Sequence, residues 1–123
     1  MNLYDYFENT EGTGVLATTD SDGDVDLAIY ARPHVTDENT VAFIMNERLS
    51  FNNITSNPKA AYLFIEAGPG YKGKRLYLTK TKESDDKELI DSMRRKTQKH
   101  HGTDSEKYLV YFSIEKIRPL VGD

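Results

Sequence analysis

The short spacing between apolar runs constrains the fold of this chain more than any other feature. Most connections between these runs are too short to hold the crossover helix that parallel strands require. An antiparallel sheet follows, and closing it into a small barrel buries many apolar strands without exposed edges. The predicted strands are Val15–Thr19, Asp24–Val35, Val41–Met45, Ala60–Ile65, Lys74–Lys82 and Lys107–Ile114.

The stretch from Val41 to Glu66 is the centre of the predicted arrangement, and it reads as strand, short helix, strand. The continuous apolar run Val41–Met45 is typical of a strand buried on both faces. Asn46 can cap the helix that follows, and Pro58 ends it, because proline disfavours helical geometry in the residue before it. Ala60–Ile65 is then a second buried strand.

A polar cluster opens this short helix, between Asn46 and Asn53. Free N–H groups and the positive end of the helix dipole favour an anion there, and Arg48 and Ser50 could complete such a site. The alternative is a solvated helix between two strands, and the residues alone leave both interpretations open.

Helices are also predicted near both ends of the chain. In Asn2–Thr10, apolar residues fall on one face at helical spacing. Ser84–His100 has Ser84 as its cap, acidic residues at its start and basic residues at its end. The overall expectation is a mainly β, α+β fold in which six antiparallel strands form a barrel with two flanking helices.

Length and composition indicate a single domain over residues 1–123 with an ordinary balance of charges. The net charge of −4 gives no electrostatic reason to expect nucleic acid. The absence of cysteine excludes disulfides and thiolate chemistry. No apolar stretch approaches membrane-spanning length, and the N-terminus does not resemble a signal peptide, so a cytoplasmic protein is expected.

Four local patterns look like functional motifs, and none has the required context. Gly68–Gly73 matches G-x-G-x-x-G, but a strand rather than a helix follows it. The aspartates from Asp20 to Asp26 lack the glycine and glutamate positions of a calcium loop. His100 and His101 point apart on a helix end, so no metal site is expected. The basic run Arg94–His101 could bind phosphate or nucleic acid, or be a solvated helix end.

No catalytic constellation of side chains is recognisable. The sequence has neither a nucleophile elbow nor a Walker lysine. The catalytic residues are therefore unknown, and any chemistry is expected to be carried by a cofactor.

The order of the elements and their local sequences resemble the FMN-binding split-barrel group, the pyridoxamine 5′-phosphate oxidase-like proteins. Three segments carry the likeness: GVLATTDSDGDVDLAIYARPHV, VAFIMNERLSFNNITSNPKAAYLF and GPGYKGKRLYLTKTKE. Small single-domain members match best in length. The resemblance implies a split β-barrel and an FMN-binding oxidoreductase or electron-transfer protein. It also implies a homodimer with one FMN at each end of its interface.

The resemblance also implies a set of cofactor-binding residues. In the family the isoalloxazine ring lies along the second strand, with the third strand beside it. The phosphate lies at the start of the short helix, the next strand closes the site, and the partner subunit's tail, here Arg118–Leu120, packs near the ring. The implied residues are Ala28, Ile29, Tyr30, Ala31, Arg32, Phe43, Ile44, Met45, Arg48, Leu49, Ser50, Asn53, Lys74 and Arg75.

The chain departs from the family pattern at Leu49, where members commonly carry a phosphate-binding lysine or arginine. Arg48, Arg32 and Arg75 are the candidate substitutes, because arginine can hold a phosphate through two parallel bonds. The group also includes members that bind the deazaflavin F420 or haem. The alternative function is therefore a non-catalytic small-molecule binding or sensing dimer that has lost tight FMN binding.

A second departure from the family pattern concerns length. The true oxidase has a longer chain with a C-terminal substrate-binding segment that this sequence lacks. We therefore do not expect a pyridoxamine phosphate oxidase.

Overall fold

The computed structural model describes residues 2–94 and 107–122 as three helices and seven strands. In chain order the elements are α1 (Leu3–Asn9), β1 (Gly12–Thr19), β2 (Val25–Ile29), β3 (His34–Asp37), β4 (Thr40–Asn46), α2 (Leu49–Ser56), β5 (Lys59–Glu66), β6 (Gly73–Ser84), α3 (Lys87–Met93) and β7 (Lys107–Pro119). The strands form one antiparallel sheet in the order β2-β1-β5-β6-β7-β4-β3. The predicted α+β barrel is confirmed, with one more strand and one more helix than the overall expectation.

The extra strand arises because the predicted strand Asp24–Val35 is broken in the middle. Among the described strands, β2 pairs only with β1 and β3 only with β4, so the two halves lie at opposite edges of the sheet. Pro33 has no N–H to donate to a ladder. The side chain of the preceding residue, Arg32, binds the end of α1, where its Nη1 donates to the carbonyl oxygens of Phe7 and Thr10 at 2.8 and 3.0 Å. The chain therefore crosses between the two edges.

Side chains from the barrel interior hold this crossing in place. The hydroxyl of the fully buried Tyr62 donates to the carbonyl oxygens of Tyr30 and Ala31, each 3.1 Å away. The Tyr30 ring packs edge-on against Phe43 at a centroid distance of 5.9 Å. A Cβ on Gly14 would lie 1.8 Å from the Tyr62 hydroxyl oxygen, so only glycine leaves room for this contact.

Aromatic rings fill the core. Phe7 from α1 meets Phe64 edge-on at 5.3 Å, and Phe43 meets Tyr62 at 5.0 Å. The predicted apolar face of α1 is confirmed, because Phe7 is fully buried and its neighbours Leu3 and Tyr6 pack against the same core. On the outside of β4 and β7, Ile90 of α3 packs in a second apolar cluster.

Two predicted helix caps are wrong. Asn46 does not cap α2, because it still belongs to β4, where it pairs with Lys107, and the N-cap is Arg48. Ser84 does not cap α3, because β6 runs through it. Asp86 takes this role, and its carboxylate accepts from the N–H groups of Glu88 and Leu89 at 3.0 and 3.3 Å.

The predicted helix Ser84–His100 is shorter within the described residues. α3 ends at Met93, and Arg94 has the extended backbone angles φ −66° and ψ 135°. Residues 95–106, which include His100 and His101 and most of the basic run, lie outside the described residues. Across the parts that are described, no helix has the length and apolar character needed to span a membrane.

We expect Gly14→Ala to destabilise the protein by about 2–3 kcal/mol, the usual cost of overpacking a filled core. The added methyl group would meet the Tyr62 hydroxyl at 1.8 Å and the Tyr30 carbonyl oxygen at 2.6 Å. Tyr62→Phe should cost about 1 kcal/mol, because it removes one hydrogen-bond donor. Urea unfolding of both variants and of the double variant measures these changes. In the double variant the two losses of stability should not add, because removing the Tyr62 hydroxyl removes the atom that the new methyl group at position 14 meets most closely. Additive costs would contradict this description of the crossing.

Candidate functional site

A pocket of about 320 Å³ lies where β2 and β4 meet the start of α2. Seven of the fourteen predicted cofactor-binding residues line it, together with Asp26 and Asn46. The seven are Ala28, Ile29, Tyr30, Ile44, Arg48, Leu49 and Ser50. The pocket therefore brings together the second strand, the third predicted strand and the helix start that the resemblance singles out.

Strand alternation gives β2 two different faces. Asp26, Ala28 and Tyr30 share the partly buried face. The opposite face is apolar and solvent-exposed, and it consists of Val25, Leu27 and Ile29, which are 72%, 68% and 73% exposed. Because β2 pairs only with β1, this exposed apolar face also lies at an edge of the sheet.

The start of α2 supplies polar groups to the pocket. The N-cap Arg48 makes no side-chain capping hydrogen bond, and the first N–H groups of any helix lack an intrahelical acceptor. Arg48 itself is exposed, whereas Ser50 is only 5% exposed and its side chain is close enough to Tyr30 to lower the pKa of the phenol. This combination of helix N-terminus, arginine and serine can hold an anionic group.

Tyr30 is the aromatic group of the pocket, and its environment keeps it neutral. Burial raises the pKa of the Tyr30 phenol above its usual value. The nearby Ser50 side chain and the positive charge of Arg48 lower this pKa, and the negative charge of Asp26 raises it. The phenol can therefore act as a hydrogen-bond donor or acceptor at neutral pH.

Three of the predicted residues lie behind the pocket. Phe43 and Met45 point into the core, where they are 2% and 1% exposed, because β4 alternates and its other face, with Ile44 and Asn46, lines the pocket. Asn53 is 5% exposed, and its Nδ2 donates to Thr18 Oγ1 at 3.0 Å. That hydrogen bond ties α2 to β1.

The other predicted basic residues are engaged elsewhere in this chain. Arg32 bonds to the end of α1, and Lys74 Nζ lies 4.7 Å from the centre of the Tyr6 ring. Arg75 donates through Nε to the Pro119 carbonyl oxygen at 2.8 Å and through Nη2 to that of Gly122. Of the three arginines considered for a phosphate, Arg48 is the one that lines the pocket.

The remaining predicted residues lie on the crossing and in the tail. Ala31 lies on the crossing, where its carbonyl oxygen accepts from Tyr62. The tail that was expected near a partner's ring is bonded to its own β6, because Leu120 N donates to the Gly73 carbonyl oxygen at 3.2 Å.

Sequence reasoning missed two residues of the pocket. Asp26 was not predicted as a site residue, although the period of two that joins Ala28 and Tyr30 extends to it. Asn46 was assigned to a helix cap, but it ends β4 at the pocket. Strand alternation was the signal that could have identified Asp26.

A larger cavity of about 700 Å³ lies between α1, β3 and the end of α3. Of the predicted cofactor residues only Arg32 lines it, among the residues that the structure describes. The guanidinium of Arg32 holds the end of α1, so this cavity does not unite the predicted residues.

The glycine-rich motif and the candidate metal ligands can also be compared with the structure. Gly68–Gly73 leads from β5 into β6, so a strand follows it and not the helix of a dinucleotide fingerprint. Gly68 and Gly70 have φ values of 107° and 85°, which glycine adopts without strain. Within residues 2–94 and 107–122, no three His, Cys, Asp or Glu side chains are grouped to hold a metal ion.

Comparison of sequences identifies a family. The family profile described as pyridoxamine 5′-phosphate oxidase matches residues 3–120. Among curated proteins, none matches this chain in sequence.

Comparison of folds finds similar solved structures. An FMN-binding protein from Syntrophomonas wolfei superposes with a TM-score of 0.83 at 15% identity, over 99% of this chain and 86% of that one. An F420 reductase gives a TM-score of 0.70 at 16% identity, over 94% and 95% of the two chains. HutZ, the heme storage protein of Vibrio cholerae, gives 0.67 at 14% identity, over 95% and 91%. At these identities the likeness is one of fold.

Raising the pH above about 10, the usual pKa of tyrosine, should destabilise the protein. A phenol whose pKa is raised by folding stabilises the folded state fully below the unfolded pKa, and this contribution is lost as pH rises through the folded pKa. The Tyr30→Phe variant should therefore lose less stability than the wild type between about pH 9 and 11. Part of the loss should remain, because the pKa of Tyr6 is also raised by burial and by its bond to Glu66. Thermal melts across this range test the expectation, and parallel curves for the two proteins would contradict it.

Proposed function

Because the chain belongs to the pyridoxamine 5′-phosphate oxidase family, we propose that it is an FMN-binding flavoprotein that serves as an oxidoreductase or electron carrier. The observation that carries the proposal is the pocket itself, which unites seven of the fourteen implied cofactor residues. The similarity of fold to an FMN-binding protein and an F420 reductase supports a flavin-type ligand.

The residues of the pocket fit a flavin nucleotide in their chemistry. Apolar side chains of β2 and β4 and the Tyr30 ring suit a flat aromatic ring, and polar groups at one end fix its orientation. Arg48, Ser50 and the N–H groups that open α2 would hold the phosphate. When bound, FMN would supply electron or hydride transfer, while the protein binds it, orients it and limits access of water.

We further propose that the protein is a homodimer whose interface closes this pocket. A single chain provides about 320 Å³, near the lower end of the range for ligand sites. The apolar face of β2 formed by Val25, Leu27 and Ile29 is exposed, and Ile29 also lines the pocket beside the exposed Leu49. Contiguous exposed apolar surface marks an interface, and a second copy on this face would add the missing wall.

The second candidate is a non-catalytic binding or sensing protein, favoured by the first residue of α2. Leu49 is 56% exposed there and brings no charge to the polar end of the pocket. The fold is also similar to that of a heme storage protein. Repeated reduction of bound FMN by NADH, NADPH or a reduced deazaflavin, followed by reoxidation, would favour the first candidate. A bound flavin or haem that none of these donors reduces would favour the second.

We expect Leu27→Asp to convert the dimer to a monomer and to weaken FMN binding, because a carboxylate would be buried in an apolar interface. Val121→Asp is the matched control, since Val121 is also exposed, at 65%, but lies outside β2. Light scattering coupled to size exclusion, at several concentrations, measures the mass. A monomeric wild type, or a Leu27→Asp variant that stays dimeric, would contradict the proposed interface.

We expect the purified protein to show, or to retain after FMN addition and desalting, the visible absorption of a flavin. Arg48→Ala should weaken FMN binding about fivefold, the effect of losing one exposed ion pair worth about 1 kcal/mol. Leu49→Lys should strengthen it by a similar factor. Lys87→Ala on α3 removes an exposed cation outside the pocket and is the control. A protein that stays colourless with FMN would overturn the proposal. Unchanged FMN binding in both Arg48→Ala and Leu49→Lys would show that the phosphate does not bind at the start of α2.

A further inference from the structure

We propose that this site, if it binds flavin as proposed above, recognises the ring system rather than the terminal phosphate. It therefore accepts riboflavin nearly as well as FMN, and Asp26 is the residue that sets this tolerance. The ligand class then becomes flavins with or without a phosphate group.

Asp26 lies at the α2 end of the pocket. It shares one face of β2 with Ala28 and Tyr30, and all three line the pocket. Its partner in the sheet is Thr18 of β1, whose hydroxyl accepts the 3.0 Å hydrogen bond from Asn53 of α2. The register therefore brings Asp26 next to the point where the middle of α2 contacts the sheet. Asp26 also lines the same pocket as Arg48 and Ser50 at the start of α2, where the phosphate was assigned.

The charges of the described pocket residues cancel. Of the nine lining residues, Arg48 and Asp26 are the two with charged side chains at neutral pH. Both act on the same phenol with opposite signs, since Arg48 lowers the pKa of Tyr30 and Asp26 raises it. A phosphate monoester carries a charge of about −1.5 to −2 at pH 7, so Asp26 would repel it.

The attractive groups at this end are modest. Arg48 is exposed, and ion pairs in contact with water contribute little. Leu49, the first residue of α2, is 56% exposed and uncharged. The remaining favourable contribution comes from the helix N-terminus, which salt also screens. Asp26 opposes these contributions, so the phosphate should add less than about tenfold to affinity.

Titration of FMN and riboflavin, followed by quenching of flavin fluorescence, tests the inference in the wild type, Asp26→Asn and Asp24→Asn. Asp24 is the matched control, because it is exposed in the same hairpin and does not line the pocket. The wild type should bind FMN less than about tenfold more tightly than riboflavin. Asp26→Asn should strengthen FMN binding about three- to tenfold and leave riboflavin within about twofold, because it removes a charge that only the phosphate opposes. Asp24→Asn should change neither affinity.

The outcomes separate this inference from the proposed function. A wild type that prefers FMN by about a hundredfold or more would overturn the inference and leave the proposed function intact. An Asp26→Asn variant that improves both flavins equally would also overturn it, because Asp26 would then act on the shape of the pocket. Binding of neither flavin would overturn the proposed function together with the inference. Each variant's melting temperature confirms folding, and the FMN-to-riboflavin ratio is insensitive to partial loss of folded protein.

Discussion

The barrel and its pocket both depend on one buried contact, the hydroxyl of Tyr62 against the backbone of Tyr30 and Ala31. The chain leaves β2 at this point and must cross to β3 at the opposite edge of the sheet, and its backbone pairing with β1 ends with the bond from Tyr30 N to the Gly14 carbonyl oxygen. A side-chain donor from the interior replaces the ladder, and Gly14 leaves the space that the donor needs. The same backbone carries the Tyr30 ring, so the contact that closes the barrel also positions the wall of the pocket.

From this crossing the two faces of β2 acquire different roles. The face that bears Asp26, Ala28 and Tyr30 turns towards β4 and α2, where α2 adds polar groups, so it forms a pocket with an apolar wall and a polar end. The face that bears Leu27 and Ile29 is exposed, with no cover from the residues that the structure describes. Ligand and second subunit would therefore share one strand, and a single alternating sequence specifies both surfaces.

The local elements were predicted more successfully than their ends. The strands on either side of α2 follow from runs of apolar residues, which are local features of the chain. The helix caps at Asn46 and Ser84 were wrong because the preceding strands continue through both residues. Pairing with β7 extends both β4 and β6, and the hydrogen bonds that stabilise these extensions come from residues far along the chain.

For the candidate site, too, local features were predicted and contacts between distant residues were not. The sequence by itself determined the antiparallel barrel and the helix between two buried strands, because spacing and side-chain period are local. Only the tertiary structure decided that Arg48 lines the pocket while Arg32 and Arg75 bond to distant backbone carbonyls. It also decided that Asp26 lines the same pocket as the start of α2. An arginine's partner and a carboxylate's neighbour depend on which strands meet across the sheet, and that pairing joins residues that no local pattern connects.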